Sequence, residues 1–194
     1  MSDEYDSKTV EHRGYSIKVC YHVDDDSTPP WKQSDGHGPV SDWTSIEAKQ
    51  PGERVLSKDH GSYRFYHWQE AMATAKKDGW GLTDEAKVKL AKRLGKPVTA
   101  LRPGEITAEA VQMDFDYLQG WCNDEWHWAG YTTEITTPEG ETFDGDSCWG
   151  YSSDDDKYML ECAMDNAIPT VNRHADDHEA LASLLQGVCE MAEV

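Results

Sequence analysis

From Tyr15 to Val23 the chain alternates without a break, with Tyr15, Ile17, Val19, Tyr21 and Val23 on one side and Ser16, Lys18, Cys20 and His22 on the other. A period of two residues is the mark of a strand with one buried face. Such a strand needs partners at its edges and a cover over its apolar side. The signals that follow along the chain decide what those are.

Residues 1–13 are polar and read as a loose leader. Residues 24–53, rich in Pro, Gly, Ser and Asp, read as a long ordered loop pinned by Trp31 and Trp43. A second short strand is expected in Arg54–Leu56 or Tyr63–Tyr66, and Trp68, Ala71, Met72 and Ala75 then recur at helical spacing up to Gly79. Thr83 to Leu94 has a complete set of helix end signals. Thr83 is placed to cap, Asp84 and Glu85 open the first turn, Lys92 and Arg93 close the last, and Gly95 and Pro97 follow. A third helix, about Thr107 to Trp121, puts Val111, Phe115, Leu118 and Cys122 on one stripe. Residues 125–151 read as a hairpin with PEGE as its turn. Ser153 and Asp156 resemble a capping box for a helix that Pro169 stops near Ile168, and a last helix carries Leu181, Leu184, Leu185 and Val188.

This order of strands and helices does not alternate as parallel βαβ units do. The expectation is therefore an α+β fold, a small antiparallel sheet packed on one face by several helices. Its 194 residues, 38% of them hydrophobic and eight of them Trp, are enough for a real core. We read one domain, 1–194, composed of the leader (1–13), a strand/loop/helix part (14–82), a basic helical connection (83–103) and an acidic helix/hairpin/helix part (104–194).

Charge is distributed unevenly over these parts. Residues 1–75 carry a net −5, residues 76–102 a net +5, and residues 103–194 a net −19, with Lys157 and Arg173 as their only strong bases. Such density attracts basic proteins and repels nucleic acid, over roughly a Debye length of about 8 Å at physiological salt. Acids at helix starts, here Asp154, Asp155 and Asp156 and again Asp176, Asp177 and Glu179, are what the helix dipole prefers. Glu134, Glu139, Glu141, Asp144 and Asp146 on the hairpin have no such explanation. With Asp154, Asp155 and Asp156 directly after them, they are the candidate partner-binding residues. A merely solubilising surface is the plainer alternative.

Chemistry-bearing motifs are sparse. There is no GxSxG, GxxxxGK[ST], GxGxxG or HExxH. An EF-hand loop counted from Asp144 would place Trp149 where Gly is needed and Asp155 where Glu is needed, so it fails. Cys20 with His22, and His60 with His67 and Glu70, lack the spacing of a structural zinc site. No catalytic residue, metal or cofactor is therefore assigned. The one acid/base arrangement to weigh is His37, flanked by Asp35 and Asp42 in the long loop. Five cysteines at irregular spacing, no apolar leader segment and no run approaching 18 apolar residues read as a soluble protein of a reducing cytoplasm.

The stretches DGHGPVSDW (35–43), PGERVLSKDHGSYRFYHWQEA (51–71), KKDGWGL (76–82) and FDYLQGWCNDEWHWAG (115–130) resemble a group of small acidic proteins encoded by tailed bacteriophages and prophages. The resemblance spans about residues 15–165 and brings no catalytic residues. It implies an accessory protein in the cytoplasm of an infected bacterial host. Combined with the acidic face, it leads to the expectation of a non-enzymatic inhibitor that acts as a DNA mimic. Its partner would be a host nucleic-acid-binding protein with a basic groove, such as a CRISPR or restriction component, with no direct nucleic acid and no membrane. Two alternatives are a protein holding a small ligand or nucleotide in its aromatic-rich centre, and an enzyme using the 24–53 loop.

Overall fold

The structure is a computed structural model that describes residues 4–26 and 28–192; in the final helix, side chains are described through Leu184 and at Gln186. The fold is α+β and its strands pair antiparallel throughout. The chain divides into two compact units, one drawn from Met1–Ser27 and His127–Val194 and the other from Thr28–Trp126. This differs from the expected single domain with joints near 83 and 104. Pairing of the first strands with residues more than a hundred positions later is a long-range event that local sequence patterns do not reveal.

The first unit is a four-stranded sheet in the order β1-β2-β5-β6, formed by β1 (Glu4–His12), β2 (Tyr15–Val23), β5 (Trp128–Thr136) and β6 (Thr142–Ser152). Residues 4–12, expected as leader, are its first edge strand. Its only apolar or aromatic side chains, Tyr5 and Val10, are five positions apart, so this edge strand shows no alternation. Arg13 and Gly14, both at positive φ (51° and 82°), make the tight turn into β2, where primed turns match strand twist. Tyr15, Ile17, Val19 and Tyr21 of β2 and Ala129, Tyr131 and Ile135 of β5 are buried on one face, as the alternation requires.

The cover of that face is α5 (Asp156–Ala192), which lays Met159, Ala163, Ala167, Val171 and Ala175 on the sheet at every fourth position. Pro169 does not end this helix. Losing the bond to the Asp165 carbonyl costs about 3 kcal/mol, and the burial of Ala167 and Val171 on either side holds the helix through it. Nor is Ser153 its cap. Asp155 accepts the Tyr158 N–H at 3.1 Å, while Ser153 is tied to His127 by two hydrogen bonds of 2.9 Å. Midway along, Arg13 pairs with Asp176 (2.7 Å) and Glu179 (3.0 Å), and His12 with Asn172 (2.9 Å).

The second unit contains α1 (Pro30–Gln33), the hairpin β3 (Arg54–Asp59) and β4 (Ser62–Tyr66), α2 (Trp68–Asp78), α3 (Asp84–Arg93) and α4 (Pro103–Cys122). Both candidate segments for the second strand are strands, and they pair with each other. The long loop lies against them through bridges Val40 to Tyr66 and Thr44 to Tyr63. Leu56, Tyr66, Ala71, Ala75, Val111, Phe115 and Leu118 form the core. α3 begins as expected, with the Thr83 hydroxyl accepting the Ala86 N–H. α4 starts four residues before the expected Thr107, because Pro103 suits a first turn and the Glu105 carboxylate returns to the Arg102 N–H at 2.7 Å. Arg93 to Glu109 and Lys96 to Glu105 join α3 to α4. Among the described residues, no helix is long and apolar enough to cross a membrane.

Candidate partner interface

The eight acids singled out from the sequence fall into two groups. Glu134 on β5 stands directly opposite Asp144 on β6, on the sheet face away from α5. Its other cross-strand neighbour is Lys18 of β2, whose ammonium lies 3.5 Å from the Glu4 carboxylate. Asp146 occupies a bulge where the Thr133 hydroxyl takes its backbone carbonyl at 2.9 Å. Glu139 and Glu141 sit in the hairpin turn, which is closed by Thr137 N–H to the Glu141 carbonyl at 2.7 Å. All five side chains are exposed. Among the described residues, none of these five carboxylates has a hydrogen bond or ion pair.

The other three acids follow the opposite end of β6, which lies about 20 Å along the strand from Asp146 and about 33 Å from the hairpin turn. Each has an intramolecular task. Asp154 accepts the Ser152 hydroxyl at 2.5 Å, Asp155 caps α5, and Asp156 lies 3.7 Å from the Lys8 ammonium. The structure therefore does not gather the eight residues into one patch. It leaves the hairpin end, residues 134–146, as the concentration of unengaged charge.

This arrangement is electrostatically unfavourable on its own, since like charges directly opposite on a sheet destabilise it by roughly 0.2–1 kcal/mol. β6 is also an edge strand, interrupted by two register shifts. Charges and bulges on an edge discourage addition of another strand. A partner would meet this edge through its carboxylates rather than by extending the sheet.

The long loop of the second unit holds a different polar cluster. His37 does not pair with Asp35 or Asp42, both of which are exposed. Its Nδ1 lies 2.6 Å from Oδ1 of Asp114 on α4, while Oδ2 of Asp114 accepts the Gly38 N–H (2.8 Å) and the Tyr66 hydroxyl (2.7 Å). The Asp114 side chain is 8% exposed. Burial first, and then the bond to Asp114, push the Tyr66 hydroxyl far above the ordinary phenol range. The His37 ring stacks on Tyr117 at 5.7 Å, and Tyr117 stacks on Trp126 at 4.3 Å. A Cβ at position 38 would come within 2.3 Å of the Tyr66 hydroxyl, so only glycine lets the loop come this close. Three donors on one carboxylate make this an anchor for the loop. Sequence reasoning missed Asp114, although it falls between Val111, Phe115 and Leu118 on the apolar stripe of α4, where a carboxylate requires partners.

His22 donates to or accepts from Thr132 through Nε2 at 2.9 Å, His67 lies 3.4 Å from Glu53, and His60 pairs with its neighbour Asp59 at 3.6 Å. Among the described residues, no three His, Cys, Asp or Glu side chains are grouped to hold a metal ion. Cys20, Cys122, Cys148 and Cys162 are free thiols, and Cys189 lies outside the described side chains. Burial pushes the Cys20 and Cys122 thiols up. Comparison with protein-family models, with curated proteins and with solved structures finds no match.

Proposed function

We propose that this chain is a non-enzymatic phage accessory protein whose acidic hairpin docks on the basic nucleic-acid-binding surface of a host defence protein and excludes nucleic acid from it. One observation supports this reading above the rest. Among the described residues, five exposed carboxylates at positions 134–146 have no intramolecular partner, and two of them face each other across paired strands. A basic surface would relieve that repulsion. At one charge per about 1.7 Å of duplex axis, five carboxylates stand in for about 9 Å of B-form DNA. The contact is therefore short, and the remaining acidic charge serves to steer the encounter.

The test compares the wild type with a variant in which Glu134, Glu139 and Glu141 become Gln and Asp144 and Asp146 become Asn. Each protein is used to capture partners from host lysate at low and high salt. The expectation is capture that falls with salt, is competed by duplex DNA and is lost in the variant, mainly through slower association. Binding that ignores salt, tolerates DNA and survives the substitutions refutes the proposal.

A further inference from the structure

Arg64 of β4 is held in an unusual setting. Its guanidinium carbon lies 4.8 Å from the centre of the Trp31 ring and 4.7 Å from that of Trp43. Trp121 braces Trp31 edge-on at 5.4 Å, and Ser57 stands opposite Arg64 on β3. The guanidinium has five N–H donors and meets no hydrogen-bond acceptor or carboxylate among the described residues. Its Nε is buried and unpaired, while its Nη groups are not among the buried unpaired atoms. This occurs in a chain with 37 Asp and Glu against 18 Lys and Arg, where carboxylates are the commonest charged neighbours available. Arg13 and Arg93 have each found them. A buried donor left without an acceptor is costly and asks for a reason.

A guanidinium fixed against aromatic rings is pre-organised for a planar oxyanion, because its orientation is set before the ligand arrives. The surroundings narrow the choice. Asp42 precedes Trp43, and Asp124 acts on Cys122 together with Arg64, so a dianion is repelled more than a monoanion. The margin is apolar. Trp43 is 44% exposed, and Ile46, three residues on in the same loop, is 94% exposed. We infer that Arg64, clasped by Trp31 and Trp43, is a receptor for a small monocarboxylate with an apolar body. The carboxylate would take the guanidinium edge and the apolar body the exposed indole. This site belongs to the second unit and does not depend on the acidic hairpin of the first.

Benzoate and octanoate are the probes, with inorganic phosphate as the competing anion. Binding is read by calorimetry and by the Arg Nε–H resonance of the wild-type protein. We expect saturable binding of both carboxylates with a displaced Arg64 Nε–H signal, and no saturation by phosphate in the same range. R64Q should weaken binding at least tenfold. R64K should do nearly the same, since an ammonium lacks the planar fork, and W43A should weaken octanoate and benzoate several-fold. If R64Q fails to fold, judged by its circular dichroism, R64K and the wild-type resonance carry the test. Absence of saturable carboxylate binding, equal binding of phosphate, or affinity unchanged in R64K overturns the inference.

Discussion

Replacing Asp114 with Ala removes the acceptor on which His37, Gly38 and Tyr66 converge. His37 keeps some contact with solvent, at 17% exposure, but Tyr66 is fully buried and Gly38 is buried too. Two donors are thus stranded, each at about 1–3 kcal/mol. The expected loss is about 4 kcal/mol for the second unit, a large share of an ordinary domain's stability. In a Tyr66→Phe background one of those orphans no longer exists, so the same substitution should cost about 1–3 kcal/mol less. Six of the eight tryptophans, Trp31, Trp43, Trp68, Trp80, Trp121 and Trp126, lie within Thr28–Trp126. Urea unfolding followed by tryptophan emission therefore reports mainly on this unit. A loss below about 1 kcal/mol, or an equal cost in the two backgrounds, would refute the view that Asp114 anchors the loop.

Pro169→Ala should stabilise the first unit by about 1–3 kcal/mol, because it restores a donor to the Asp165 carbonyl inside a continuous helix; a lowered melting temperature would show that the helix depends on proline there. Burial, followed by the charges of Asp156 and Asp6, pushes the Tyr21 hydroxyl up to about 12. The unfolded chain loses that proton near the ordinary value of about 10. Tyr21 therefore contributes stability that is complete below pH about 10 and is lost as the pH rises towards about 12. Tyr21→Phe, which also removes an unpaired buried hydroxyl, should flatten the fall of melting temperature across that window while leaving stability at neutral pH equal or higher.

Where an element's own residues determine it, the sequence was readable. The alternation from Tyr15 to Val23 announced a half-buried strand, and Thr83 with Gly95 bounded α3 almost to the residue. Elements defined by their neighbours were not readable. β1 is a strand because β2 offers it an edge, and its nearly all-polar sequence carries no periodic trace. Pro169 is a stop signal in isolation, overridden by the sheet packed on either side of it. Asp155 and Asp156, at a helix start, are engaged in the fold, whereas among the described residues the five acids at 134–146 have no such partner. The partner of His37 was hidden for a simpler reason. Asp114 lies 77 positions away, and only the packing of α4 against the loop unites them.

Val23 stands opposite Ala129, and the Asp24 N–H reaches the Trp128 carbonyl at 2.9 Å, so β2 and β5 are in effect the two arms of a hairpin whose tip has been opened to admit residues Thr28–Trp126. A nascent chain emerging from the ribosome meets this arrangement in an awkward order. β1 and β2 appear first and must wait, with Ile17 and Val19 uncovered, while an entire second unit is synthesised. Only when β5, β6 and α5 follow does their apolar face find its cover. For that interval the earliest-made strands are the segment most in need of protection from aggregation.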